Sequence, residues 1–170
     1  MGLHVDTLQI EQRDNHYHLQ AQFQVARSRA EVFALLRDYD RWQALSPTIR
    51  ESERLLSFGA HRHHVRSVSS ACVLIFCAKL MQVQLVTESP PDRITARTLP
   101  AQSNVRRGRV EWQLKRVQID GVEQTELQLD LELEPMFWIP PLIGSWLVGY
   151  LLEQEVRTTA QQLERLPLSR

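Results

Sequence analysis

The run TELQLDLELEP, residues 125–135, limits what this chain can fold into more than any other stretch. Leu127, Leu129, Leu131 and Leu133 fall on one face of an extended segment; Glu126, Gln128, Asp130, Glu132 and Glu134 fall on the other. Alternation with period two is the mark of a strand with one dry and one wet side. Directly after Pro135 the period changes to that of a helix. Pro141 suits a first helical turn, and the helix can run over 141–166 before Pro167. A chain built this way must lay the dry face of a sheet against one long helix.

The remaining segments supply the sheet. HYHLQAQFQV (16–25) alternates cleanly, with Tyr17, Leu19, Ala21, Phe23 and Val25 on its dry face. In SRAEVFALL, Ser28 and Glu31 make an S-x-x-E capping box, which predicts a short helix. A second short helix is expected around Asp40–Leu45, stopped by Pro47. Further strands are expected at 49–58 and 61–71, a hairpin about Gly59, and at 72–86, where Met81, Val83 and Leu85 share a face. Others follow at 93–99, 109–117 and 122–134, with Asp120-Gly121 as the tightest hairpin signal. Residues 1–14 read as an N-terminal extension. The expected fold is α+β: one domain over 1–170, a seven-stranded curved antiparallel sheet wrapped around the C-terminal helix, and two short helices after the first strand. Such a wrap tends to leave an interior cavity.

Charge and cysteine usage narrow the function. With 20 basic and 20 acidic residues, the chain lacks the basic excess that a nucleic-acid surface requires. Arg106, Arg107 and Arg109 form a small local patch, read as a solvated loop rather than a grip on an anionic head group or RNA. Cys72 and Cys77, read on one continuous strand, lie on opposite faces and are expected to stay unpaired, as reduced thiols. MGLHVDTLQIEQRD shows no basic-then-apolar signal pattern, and Asp6 stands where myristoylation wants Ser or Thr, so a cytoplasmic protein is expected. FWIPPLIGSWLVGYLL (137–152) carries no charge, yet Pro140 and Pro141 leave too short an apolar helix to span a bilayer. On a helical wheel Leu142, Ser145, Gly149, Leu152, Val156, Ala160 and Leu163 share the core face, and Leu147 and Leu151 fall outside it.

These elements resemble a known family. VARSRAEVFALLRDYDRW at 25–42, ESPPDRITARTL at 88–99 and the helix ending AQQLERL at 160–166 are similar to the START/polyketide-cyclase superfamily, also called SRPBCC or Bet v-like. The likeness spans roughly 16–166 and is nearest to the coenzyme Q-binding and polyketide cyclase/dehydrase branch. PAQSNVRRGRVEWQL at 100–114 resembles a family segment in which a glycine and an aromatic are common where Ser103 and Asn104 stand. The resemblance implies a helix-grip domain that binds, and transports or sequesters, a hydrophobic small molecule such as a lipid, isoprenoid quinone or sterol-like compound. It equally allows an aromatase/cyclase, or a ribosome- or protein-associated factor.

On that reading Trp42, Met81, Trp112, Leu131, Leu142, Trp146, Gly149 and Tyr150 are expected to line the ligand space. Glu153 either orients a ligand or serves as a general acid, with Tyr150 the other catalytic candidate; its bland alternative is an ion pair with Arg157 at i+4. Phe137, Trp138, Leu147 and Leu151 form the patch expected to meet a membrane surface, a partner or a second copy in a homodimer. His61, His63 and His64 lack the ligand set zinc requires and read as a solvated hairpin edge. Tyr39, Asp38 and Asp40 suit proton transfer at a pocket mouth, or simple capping. No nucleophile motif, cofactor or metal is expected.

Overall fold

A computed structural model describes residues 5–73 and 75–169, with the side chains of 73 and 141–145 outside that description. Its single antiparallel sheet has eight strands, in the order β1-β2-β8-β7-β6-β5-β4-β3. These are β1 (Val5–Arg13), β2 (His16–Val25), β3 (Ile49–Ser57), β4 (Arg62–Val73), β5 (Phe76–Ser89), β6 (Arg93–Thr98), β7 (Val105–Ile119) and β8 (Val122–Pro135). The leucine alternation behaves as its period requires: Leu127 pairs with Phe23 and Leu129 with Ala21 across β2 and β8, and all four are buried. At the β7–β8 turn Asp120 and Gly121 both adopt positive φ, 50° and 77°, the geometry a two-residue hairpin demands.

Eight strands replace the seven expected. The supposed N-terminal extension is an edge strand: Leu8 and Ile10 alternate inward and pack against the core. Val5 packs against the core as well, but it stands three residues before Leu8 and breaks the period of two, so the segment's alternation is weak beside that of β2.

The first helix, α1 (Arg29–Leu36), opens on the capping box as read. Glu31 N–H donates to the Ser28 hydroxyl, and Ser28 N–H and Oγ–H both donate to the Glu31 carboxylate. Those bonds hold the Glu31 carboxyl below its usual range. A 3-10 turn at Tyr39–Arg41 leads into the short α2 (Trp42–Leu45). The long helix α3 (Pro141–Arg165) lies along the dry side of the sheet, burying Val156, Ala160 and Leu163 in the common core. Its C-terminal carbonyls are closed from afar, the Arg27 guanidinium donating to Leu163 O at 3.1 Å and Leu166 O at 2.6 Å. No helix among the described residues is long and apolar enough to cross a membrane.

Cys72 and Cys77 form a disulfide, contrary to expectation. They do not share a strand. The chain reverses after Val73, so Cys72 ends β4 and Cys77 begins β5 directly opposite it in the ladder. Cross-strand neighbours approach closely enough to bond where same-strand residues five apart cannot. The expected reduced thiols, and the reducing compartment argued from them, lose their basis.

The same reversal resets the phase of β5. Met81 and Leu85 face outward, and Gln82, Gln84, Val86 and Glu88 face inward; Val83, on the outer side, is covered by the segment around Ser103. Ser28→Ala is expected to lower unfolding free energy by about 1 kcal/mol in urea titration, through loss of the cap. Under denaturing conditions the unreduced protein should take up no thiol label, and should take up label at both cysteines after reduction.

Candidate functional site

The helix fills the curve of the sheet only in part. Where β4, β5 and β6 face it they carry Ser67, Ser69, Ala71, Ala78 and Ala96, side chains too small to reach across. Two spaces remain. The inner one, about 200 Å³, is walled by Trp42 and Trp112 with Leu36, Ile49, Ile94 and Val110, and Thr159 of α3 forms its roof. The outer one, about 140 Å³, lies between the β4–β5 hairpin, the loop 136–140 and the start of α3, against Phe137, Ile139, Val148 and Leu151. Ser69 lines both. At their junction the Ser46 hydroxyl, in the inner lining, donates to the Glu155 carboxylate in the outer one, and Thr48 lies beside it. Trp42 is itself held, its indole N–H donating to Leu36 O at 3.0 Å.

Of the residues expected to line a ligand space, Trp42 and Trp112 border the inner space. Leu131 faces inward but packs against the core. Met81 is on the outer face, because the β4–β5 reversal shifts the strand's phase. Trp146 and Tyr150 are 74% and 53% exposed and stack on each other. Gly149 faces β1, where a Cβ would lie 3.9 Å from Ile10 Cδ1. Leu142 lies outside the described side chains. Glu153 receives a two-pronged hydrogen bond from Arg157, at 3.0 and 2.9 Å, the i+4 pair rather than a ligand contact.

The outward patch is likewise redrawn. Leu147 is 4% exposed and Leu151 faces the outer space, as does Phe137; of the four patch residues, Trp138 alone is strongly exposed. The physical reason is that the start of α3 is apolar all round, so its wheel has no unique phase. Packing against β1 and the hairpin selects one rotated by roughly a quarter turn from the stripe at Val156 and Leu163.

The end opposite the loop 136–140 is closed by a polar cluster. Glu88, fully buried, accepts from Tyr39 Oη at 2.5 Å; Arg37 Nη2 and His61 Nδ1 stand 3.3 and 3.4 Å from its other oxygen. His63 is buried rather than solvated, 3.2 Å from Glu88 Oε1 but off the line of a hydrogen bond, with Ser57 Oγ 2.9 Å from its Nδ1. Tyr39 is thus tied down inside the fold rather than standing at a mouth. On the wet face His18, Asp130 and Glu132 come close together, but His18 and Gln20 both hydrogen-bond Asp130 at 3.1 and 3.0 Å, which accounts for the grouping. Arg106 and Arg107 approach Glu134, and Arg109 hydrogen-bonds Glu111.

A helix gripped by an antiparallel sheet is a fold shared with known proteins. A family model for polyketide cyclase/dehydrase and lipid transport matches residues 16–166. The chain belongs to that family. Its fold is that of the START/SRPBCC superfamily. A STAR-related lipid transfer protein from Xanthomonas axonopodis superposes with a TM-score of 0.65 at 17% identity, covering 96% of this chain and 97% of that one. The Zhui aromatase/cyclase from Streptomyces sp. R1128 gives 0.66 at 16%, covering 87% and 91%. A START superfamily protein from Mycobacterium smegmatis gives 0.63 at 16%, covering 86% and 94%. At such identities the likeness is one of fold. None of the curated proteins compared matches the chain in sequence.

Sequence reasoning missed Gln84 and Ser67 in the inner lining, Glu155 in the outer one and Glu88 at the closed end. The only signal for them was polar residues on the dry face of β4, β5 and α3. Burial, and then the Glu88 carboxylate it donates to, hold the Tyr39 phenol proton well above the tyrosine range. An unfolded tyrosine releases that proton near pH 10 while the folded protein keeps it, so stability falls as pH rises above about 10. Urea unfolding should show that loss, at most about 1.4 kcal/mol per pH unit from this group. Tyr39→Phe should flatten it, leaving the share from buried Tyr17, and lower stability near neutrality by about 1–3 kcal/mol as Glu88 loses its donor.

Proposed function

We propose that this protein binds a hydrophobic small molecule in the two adjoining spaces, which share Ser69, and carries or sequesters it. The observation that supports this best is the inner chamber, whose walls are dominated by two tryptophans and aliphatic side chains and which no described side chain fills. Burial of an apolar ligand there supplies affinity at about 25 cal/mol per Å². A lipid, an isoprenoid quinone and a sterol-like compound all suit that description.

The outer space opens at the end of the sheet where Ile75, Met136, Trp138, Trp146 and Tyr150 are exposed. Tryptophan and tyrosine favour the boundary between lipid and water. Arg13, Lys79, Arg106 and Arg107 belong to the same end of the antiparallel sheet, a complement to anionic head groups. Loading and unloading at a membrane surface follows naturally from a mouth placed there. The aromatase/cyclase reading has less behind it, since Tyr150 and Glu153 face away from the chamber and Glu155, the acid that lines the outer space, is occupied by Ser46.

Native mass spectrometry and organic extraction of the purified protein should find a co-purifying apolar compound. Ala96→Phe, which fills the inner chamber, should abolish it with the fold intact by circular dichroism. An extract that is empty, with no lipid or quinone in a panel shifting Tm, would remove the carrier reading. Sedimentation with vesicles containing phosphatidylserine should fall at least severalfold in Trp138→Ser/Trp146→Ser; unchanged sedimentation would sink the docking surface.

A further inference from the structure

The inner chamber carries two polar side chains that the fold leaves without partners. Gln84 is 5% exposed and Ser67 7%, and among the described residues neither side chain makes a hydrogen bond. Buried polar groups are ordinarily paired; the polar atoms of Gln84 and Ser67 are not sealed off as His63 Nε2 is, so they stay open to the chamber and to whatever occupies it. Their neighbours obey the rule. Gln82 accepts from the Thr98 hydroxyl at 2.8 Å, an approach made feasible by Gly108, whose Cβ would stand 2.1 Å from Thr98 Oγ1. Ser46 is engaged with Glu155 and Thr48, and the Trp42 indole with Leu36 O. Ser69 and Thr159 line the same chamber, likewise without a side-chain hydrogen bond among the described residues, but both are only half-buried; Gln84 and Ser67 are the two that are buried.

We infer that Gln84 and Ser67 form a recognition site for an uncharged oxygen, a carbonyl or hydroxyl, on the ligand; this rests on the carrier reading above. The two side chains come from paired strands, Gln84 opposite Val65 and Ser67 two residues beyond it, so both reach the same wall. An amide and a hydroxyl each donate and accept, which matches an oxygen of either kind. Among the described residues no charged side chain lines the inner chamber, so a carboxylate or phosphate would be buried there without a counter-ion. The charge in the lining is Glu155, outside the junction, and it disfavours an anionic head further. The ligand class is thus a compact apolar body, held between Trp42 and Trp112 with one neutral oxygen innermost. Its tail leaves past Ser69 into the outer space.

The test is calorimetric titration of the full chain with three probes of one size: 2-acetylnaphthalene, 2-ethylnaphthalene and 2-naphthoate. The ketone is expected to bind about tenfold more tightly than the hydrocarbon and also more tightly than the carboxylate. In Gln84→Leu/Ser67→Ala the ketone's advantage should shrink to near unity while the hydrocarbon binds at least as well. Gln84→Leu should leave Tm of the empty protein unchanged or higher, since it removes an unpaired polar group. Equal binding of ketone and hydrocarbon to the native protein overturns the recognition site and leaves the apolar chamber standing. So does an advantage that survives in the double variant, or a Tm that drops in Gln84→Leu. Failure of all three probes to bind overturns this inference and the carrier reading together.

Discussion

Everything in this structure depends on how far one helix can fill the curve of one sheet. In its second half α3 seals Val156, Ala160 and Leu163 into the core beside Phe23, Leu127 and Val32, and leaves the inner space open beneath Thr159. In its first half the sheet side chains opposite are serines and alanines, which stop short of it. Close packing is the ordinary condition of protein interiors, and gaps larger than a water molecule are few. A gap produced by small residues on three neighbouring strands is therefore a property of the sequence, set by the strands more than by the helix.

The two ends of the sheet are treated differently. At one, Tyr39, Glu88, His63 and Arg37 make a buried polar plug with α1 and α2 folded against it. At the other, the strands end in an apolar loop and a hairpin tip with tryptophan, methionine and isoleucine in solvent. A buried carboxylate surrounded by donors is costly to disturb, so the plug fixes the blind end. Access is left to the aromatic end.

Much of the fold was legible because local signals agreed with the global one: the leucine alternation in β8, the Ser28–Glu31 cap, the Asp120-Gly121 turn and the change of period after Pro135. The site was less so. A reading that assigns apolar residues to the inside put Met81 in the chamber, whereas β5 points Gln82, Gln84 and Glu88 inward. Periodicity cannot find a wall that is polar by requirement. It also cannot fix the phase of a helix start that is apolar on every side, which is why Trp146 and Leu147 exchanged places. The cysteine pair was misread because a hairpin was read as a single strand.

One contact at the mouth sets the order in which that mouth can exist. The Asn15 amide, in the β1–β2 turn, donates to Pro135 O at 3.0 Å and to Phe137 O at 2.8 Å, spanning 120 and 122 residues of chain. Bonds of that span carry the full loop-closure cost and belong to the slow, non-local part of folding. The entrance thus takes shape after the β1–β2 hairpin has met β8, whereas the β7–β8 hairpin and α1 can form from their own neighbourhoods. A chain caught midway would have a dry sheet face without the rim that later frames it.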